Sequence, residues 1–204
     1  PARQAAVQEQ IFCTGTGNDG SCTGAGIERI EVQTINGPSR KTTGIDVYMN
    51  YAMEVGNGTV TLGADMSHTL KFKQDAYIKN GVQVSDSFDA AGFLNAGNNI
   101  RSLPDFKGRG SVEYALGNHT ATVFVNYITD YVDERDGFKI DNHTTVDLNY
   151  NLRLMNDNLR IGLSAINLFD ENAPLALVDL GYDAYTHNPF GRQLKAQVTY
   201  RFGN

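Results

Sequence analysis

The sequence lacks any run of about 18 or more consecutive apolar residues, so no stretch has the length and composition of a transmembrane helix. It also lacks a basic cluster, and its net charge is -6, which argues against nucleic acid as a partner. No G-x-S-x-G motif is present, and no pairing of serine with histidine can be inferred from the spacing. We therefore predict no enzymatic activity, no catalytic residues and no cofactor.

Cysteine is scarce, since Cys13 and Cys22 are the only 2 in the chain. The residues between them are mainly Gly, Thr, Asn, Asp and Ser, which are typical of a loop. No histidine or second cysteine pair lies nearby to complete a zinc site. The spacing favours a small disulfide formed in an oxidising compartment, and the alternative is two unpaired thiols in a flexible segment.

Strict alternation of apolar and polar residues is the dominant pattern. In the last such segment, Leu194, Ala196 and Val198 share one face, and Lys195 and Gln197 share the other. A period of two predicts a β-strand with one apolar and one wet face, and about ten residues of it match a transmembrane β-strand. Segments of this kind lie at residues 45–55, 60–66, 111–115, 121–131, 146–154, 159–165 and 194–202.

The connections between these segments alternate in length. Short turns fall near Gly56, Gly117 and Asn156, and longer loops occupy residues 71–100, 133–137 and 170–190. This order predicts an all-β fold, an antiparallel up-and-down meander of about seven strands. Outer-membrane barrels share the asymmetry, with short periplasmic turns and long extracellular loops. A closed bacterial barrel has an even number of strands, at least about eight, so we expect this chain to be part of a larger barrel.

Several motifs late in the chain resemble those of one family. They are Asn167-Leu168-Phe169-Asp170, Gly181-Tyr182-Asp183, His187-Asn188-Pro189, Gly191-Arg192 and the final Val198-Thr199-Tyr200-Arg201-Phe202. Together with Thr43-Gly44-Ile45-Asp46 upstream, they resemble the C-terminal end of TonB-dependent outer-membrane receptors. The resemblance covers most of the chain from about residue 27 and is strongest after Thr144.

The resemblance implies the C-terminal portion of a 22-stranded transmembrane β-barrel in the outer membrane of a Gram-negative bacterium. Residues 1–26 would be an extracellular loop segment and residues 27–204 the barrel strands, with the plug domain absent from this chain. The implied partners are the TonB energy-transducing complex, acting through that plug, outer-membrane lipids, and the barrel insertion machinery at the last strand. The implied activity is energy-coupled uptake of a ferric siderophore, haem, cobalamin or oligosaccharide.

Two other functions are compatible with the alternation. A passive porin-type channel would share the strands and the loop asymmetry but not the Asn-Leu-Phe-Asp motif. A soluble β-sandwich binding module would have to explain why the long loops all lie on one side.

The barrel interpretation assigns a direction to each face of the sheet. The predicted lipid-facing residues are Val47, Met49, Val123, Val125, Leu148, Leu152, Leu163, Ala196 and Val198. The predicted lumen-facing residues are Asp46, Asn126, Asp147, Asn149, Lys195 and Gln197.

Aromatic residues in the long loops are the candidate substrate contacts, because rings in external loops stack on sugars or flat chelates. Packing within the loops, or a girdle at the membrane interface, would explain them equally well. The candidates are Tyr77, Phe88, Phe93, Tyr182, Tyr185 and His187. By contrast, Asn167, Asp170 and Arg192 are predicted to fix strand ends.

The remaining polar residues of interest have simpler interpretations. His119 and His143 are predicted to be solvated, whereas a ligand role is open for His68 and His187 in or near the external region. The spacing of the histidines does not predict a metal site. The acidic run at residues 133–136 is predicted to be a solvated external turn, because it lacks the glycine and distal glutamate of a hand-type calcium loop.

Overall fold

The structure is a computed structural model of the chain, and it describes residues 11–13, 27–30, 37–79, 81–98 and 100–202. The regular secondary structure of these residues consists of β-strands, which confirms the predicted all-β class. The described part of the chain contains no helix long and apolar enough to cross a membrane. The predicted Cys13–Cys22 disulfide lies outside the residues whose side chains are described.

The strands vary widely in length. In chain order they are β1 (Ile11–Cys13), β2 (Ile27–Ile30), β3 (Arg40–Val55), β4 (Gly58–Gln74), β5 (Tyr77–Lys79), β6 (Val82–Ser85), β7 (Phe88–Asp89), β8 (Phe106–Leu116), β9 (His119–Ile128), β10 (Tyr131–Val132), β11 (Lys139–Ile140), β12 (His143–Leu154), β13 (Leu159–Ile166) and β14 (Gln193–Tyr200). The long strands correspond to the segments in which the sequence alternates.

Seven strands form one antiparallel meander in the order β14-β13-β12-β9-β8-β4-β3. This confirms the predicted up-and-down topology and strand number. Tight turns join β3 to β4 and β8 to β9 through Gly56 (φ 62°) and Gly117 (φ 55°), a left-handed conformation that glycine adopts without strain. The sheet does not close on itself, because β3 and β14 each have a neighbour on one side only along this path.

The chain divides into two compact units. The first contains residues 1–42 and 72–89, and the second contains residues 43–71 and 90–204. Within the first unit, β1 pairs with β2, β5 pairs with β6, and β7 pairs with the end of β4. The prediction that residues 71–100 form one long loop was therefore wrong in part. These strands are too short for alternation to reveal them.

The meander has one apolar and one polar face, as the alternation predicted. Val123 lies opposite Leu148, which lies opposite Ala165, so apolar residues form continuous rows across the strands. Ala196 and Val198 of β14 pair with the apolar residues of β13. The pairing thus confirms that the predicted lipid-facing residues of β9, β12, β13 and β14 share one face. What that face contacts remains a prediction.

The apolar face is not buried: on β9 it is the more exposed of the two faces, and on the edge strands β3 and β14 both faces are exposed. Leu163 is 48% exposed and Val198 is 69% exposed, whereas Thr122 on the polar face is 7% exposed. Polar-face side chains bond to each other across strands, and Asn126 Nδ2 donates to Asp147 Oδ2 at 2.9 Å. This is the reverse of the usual arrangement, in which an antiparallel sheet buries its apolar face and solvates the other.

The buried apolar residues lie instead in the long connections of the second unit. Leu94, Tyr131, Ile140 and Ala176 form one cluster, with Phe138 and Val178 packed against it. We call the connections that supply it the first loop (residues 90–105), the second loop (residues 129–142) and the third loop (residues 167–192). These loops are therefore held together by a small core of their own.

Candidate functional site

The first and third loops line a cavity of about 510 Å³ that is open to solvent on one side. This volume is within the range of small-molecule sites, about 300–1,000 Å³. Its lining residues come from two short segments, and they are Leu94, Asn95, Ala96, Asn98, Ile100, Arg101, Ser102, Val178, Asp179, Leu180, Tyr182, Asp183, Ala184 and Tyr185. We take this cavity as the candidate functional site.

Asn95 shapes the wall that the first loop contributes. It has a φ of 59°, a left-handed conformation that asparagine tolerates better than most residues, and it is 3% exposed. Its side-chain Nδ2 donates to the carbonyl oxygens of Ala90, Phe93 and Arg101 at 3.0, 3.1 and 3.2 Å. One buried amide thereby holds both ends of the segment that carries Arg101.

Asp183 anchors the wall that the third loop contributes. It is 3% exposed, and its Oδ2 accepts a 2.8 Å hydrogen bond from the hydroxyl of Tyr131. Its Oδ1 accepts from the backbone N–H of Tyr185 at 3.0 Å. Burial alone would raise the pKa of Asp183, but hydrogen bonds to the Ser102, Thr186 and Tyr131 hydroxyls and to the Tyr185 backbone lower it below its usual value. Asp183 is thus a buried, ionised carboxylate.

His187 continues this network beneath the cavity. Its ring is stacked on Tyr131, and its Nε2 lies 3.1 Å from the Tyr131 hydroxyl. Because that hydroxyl gives its proton to Asp183, His187 Nε2 must be the donor and Nδ1 the acceptor. His143 Nδ1, which lies 3.2 Å from His187 Nδ1, then donates. This assignment leaves His143 Nε2 as an acceptor, and it is buried without a partner among the described residues.

Burial sets the protonation states of the network. Burial and, to a smaller extent, the nearby His143 lower the pKa of His187 to about 4. Burial and the carboxylate of Asp183 both raise the pKa of Tyr131. The network therefore carries one negative charge, on Asp183, at neutral pH. The prediction that His143 is solvated was wrong, because its ring packs edge-on against that of His187.

Arg101 and Tyr185 form the outer part of the site. The Arg101 guanidinium lies over the Tyr185 ring, 5.1 Å from its centroid, a geometry that suits a cation–π contact. Both side chains are exposed. Within the ranges that the structure describes, no acidic side chain forms an ion pair with Arg101.

The second loop ties the walls together through Asp133 and Arg135. Asp133 is fully buried and forms a two-point ion pair with Arg135, at 3.0 and 2.6 Å. Arg135 also donates to the carbonyl of Leu177 in the third loop at 3.1 Å. Glu134 accepts from the backbone N–H of Gly97 in the first loop at 2.6 Å. The prediction of a solvated acidic turn was therefore wrong for Asp133, whose role is to hold the loops.

The structure brings together some of the predicted site residues. Tyr182 and Tyr185 line the cavity, and His187 is buried beside it. Phe93 is in the first loop, where its backbone bridges to Leu103 and Val132, but it is not a lining residue. Tyr77 and Phe88 belong to the other compact unit.

Sequence reasoning missed Arg101, Asn95, Tyr131 and Asp183. Tyr131 falls at the end of the predicted alternating segment 121–131, but β9 ends at Ile128 and Tyr131 lies in β10. The Gly181-Tyr182-Asp183 motif could have indicated Asp183. An acidic residue beside aromatic residues in a long loop needs a hydrogen-bond or ion-pair partner if the loop buries it. Asn95 and Arg101 carry no such signal.

The residues predicted to fix strand ends do so through backbone contacts. Asn167, with φ 53°, accepts from Glu171 N–H at 2.9 Å and donates to Glu171 O at 2.8 Å. Asp170 Oδ1 accepts from Arg192 N–H at 2.6 Å, directly before β14 begins. The first pair closes the turn after β13, and the second attaches that turn to the start of β14.

Comparisons with known proteins provide no relative for this chain. No family model, no curated protein and no solved structure matches it. The resemblance to TonB-dependent receptors therefore stays a prediction based on the motifs. No group of three or more His, Cys, Asp or Glu side chains suited to hold a metal occurs among the described residues.

Proposed function

We propose that the chain forms the C-terminal strands of the barrel of a TonB-dependent outer-membrane receptor that takes up a bulky nutrient. The observation that carries the proposal is the exposure of the apolar face of the meander. A broad face that includes Val123, Leu148 and Leu163 is exposed, while the polar face is cross-linked by hydrogen bonds. Exposing so much contiguous apolar surface to water is costly. Lipid would cover this face, and a water-filled lumen would solvate the other.

The unpaired edges support a larger barrel. β3 and β14 each leave one row of backbone N–H and C=O groups without a partner strand along the meander. In lipid such groups must be paired, because no water is available to bond them. We propose that further strands of a 22-stranded barrel pair with these edges and that the insertion machinery acts on β14.

The loop asymmetry assigns a direction to the barrel. The short turns, including that at Gly56, lie at one end of the strands, and the three loops leave from the other end. In the proposal the short turns are periplasmic and the loops extracellular. The cavity between the first and third loops would then face the medium and bind the nutrient. TonB would deliver energy through a plug domain supplied by chain outside these residues.

Cell fractionation and growth test the proposal. The full gene product that contains this chain is produced in a Gram-negative host with and without TonB. We expect it in the outer-membrane fraction, and we expect growth on one limiting siderophore, haem, cobalamin or oligosaccharide to depend on both the gene and TonB. Growth that depends on the gene but not on TonB would indicate a passive channel. Recovery of the protein in the soluble fraction would contradict a membrane location and favour a β-sandwich module.

A further inference from the structure

The polar groups of the cavity differ in whether they remain available to a ligand. Asn95 Nδ2 is engaged by three carbonyls, and Asn98 bonds to both Asn95 Oδ1 and Ile100 N–H. The hydroxyl of Ser102 lies 2.8 Å from that of Thr186. Both oxygens of Asp183 accept internal donors. These groups hold the walls in place, and they have little capacity left for a ligand.

Arg101 is different, because its charge is not neutralised by an ion pair in the described part of the chain. One face of its guanidinium is directed at Tyr185, which orients the group. Stacking of this kind leaves the in-plane N–H donors of a guanidinium accessible, and those donors match a carboxylate or another planar anion. Its carbonyl is held by Asn95, so the backbone at this position is also fixed.

The rest of the lining indicates the shape and charge of the ligand. Leu94, Ile100, Val178 and Leu180 supply apolar surface, which suits an apolar or flat body. Asp183 places a negative charge in one wall, and Asp179 places a second carboxylate in the lining. A ligand with several negative charges would be repelled by this pair. A single negative group can pair with Arg101, the one cation among the described lining residues, whereas each further negative group would find only carboxylates there.

We propose that the cavity binds a small molecule with one negative group and a flat apolar body, the anion at Arg101 and the body against Tyr185 and the apolar wall. This inference deepens the proposed function by naming a ligand class. It rests on the proposed function only in treating the ligand as a nutrient. It argues against multiply charged anionic chelates as the cargo of this site.

A matched pair of probes tests the charge requirement. Para-fluorophenylacetate and para-fluorophenylacetamide have nearly the same shape, but only the first is anionic. Their binding to the full gene product in neutral detergent is followed by fluorine NMR. We expect the carboxylate to bind about tenfold more tightly than the amide, as for a hydrogen bond to a charged group. Equal binding, or no binding of either probe at millimolar concentration, would overturn the proposal.

Variants locate the binding. Arg101→Gln should remove the preference for the carboxylate and leave amide binding unchanged, whereas Arg101→Lys should retain part of the preference. Arg160→Gln, at an exposed arginine beside a short turn, should behave as wild type and serves as the matched control. Ala184→Trp, which places a large ring in the lining, should weaken both probes. A preference that survives Arg101→Gln, or probes insensitive to Ala184→Trp, would place the binding elsewhere and refute the assignment.

This binding experiment and the growth experiment fail in different ways. Equilibrium binding to purified protein needs neither TonB nor an energised membrane. If the probes bind as expected but growth is independent of TonB, the assigned binding site is supported and the receptor function is refuted. If growth requires TonB but the carboxylate binds no more tightly than the amide, the receptor function is supported and the assigned ligand class is refuted.

Discussion

The hydroxyl of Tyr131 donates a 2.8 Å hydrogen bond to Oδ2 of Asp183, which lies 52 residues further along the chain. Tyr131 is 1% exposed and Asp183 is 3% exposed, so water cannot replace the bond. The contact joins the second loop to the wall of the cavity. A buried carboxylate of this kind is stable only while its donors are in place.

Replacing Tyr131 by Phe tests that dependence. Tyr131→Phe retains the ring and its packing on His187 but leaves Asp183 with one donor fewer. We expect a loss of about 1–3 kcal/mol in the free energy of unfolding, the usual cost of an unsatisfied buried acceptor. Equilibrium urea unfolding of the refolded protein measures it. Tyr127→Phe, in the neighbouring strand β9 and partly exposed, is the control and should change little. Equal effects of the two substitutions would count against the network.

The depressed pKa of His187 predicts a pH dependence. Burial lowers this pKa to about 4 from an ordinary value of 6.5. Between these two values the unfolded chain binds a proton that the folded protein does not, so stability falls as the pH is lowered through this window. Above pH 6.5 and below about pH 4, His187 contributes no slope. We expect a total effect of about 3 kcal/mol.

Urea unfolding between pH 7 and pH 4 measures this slope. His187→Gln should reduce it, because the substituted side chain does not titrate. His119→Gln removes a histidine that lies outside this network, beside a short turn, and is measured in parallel for comparison. A slope of wild-type size in His187→Gln would assign the titration to another group.

The strands were predictable because their contacts are local and periodic. Tight turns join neighbouring strands, so Gly56 and Gly117 were enough to predict two hairpins, β3-β4 and β8-β9. A break in the alternation, at Phe124 of β9, also has a physical explanation. Phe124 lies on the polar face, where the Arg109 guanidinium covers its ring at 3.9 Å. At this position the aromatic ring packs against a cation instead of against apolar neighbours.

The loops were not predictable, because their contacts join distant parts of the chain. The second loop is tied to the third by Tyr131 and Asp183, and to the first by Glu134 and Gly97. No period in the sequence marks such pairs. From the sequence, Tyr182 and Tyr185 were therefore predicted as site residues, whereas the charged lining residues Arg101 and Asp183 were not.

The turn after β13 gives a further prediction. The side chain of Asn167 both accepts from and donates to the backbone of Glu171. Asn167→Asp keeps the acceptor but places a carboxylate oxygen against the Glu171 carbonyl. We expect a loss of about 1–3 kcal/mol in unfolding free energy from the broken bond. Asn142→Asp, at an exposed position in the second loop, is the control and should be near neutral. A neutral Asn167→Asp would mean that the turn closes without this side chain.

Adjacent residues on opposite faces of β12 test which face meets lipid. Leu148→Lys would place a charge in the middle of the apolar face and should cost about 2–4 kcal/mol in lipid vesicles, whereas Asn149→Lys on the polar face should cost little. Leu154→Lys, at the end of the same strand, should cost at most about 1 kcal/mol, because lysine penalties fall towards the membrane surface. Equilibrium unfolding in vesicles measures all three. Equal costs for Leu148→Lys and Asn149→Lys would contradict the assignment of the faces. A cost at Leu154 as large as that at Leu148 would instead indicate a face packed against protein, since protein contact imposes no dependence on membrane depth.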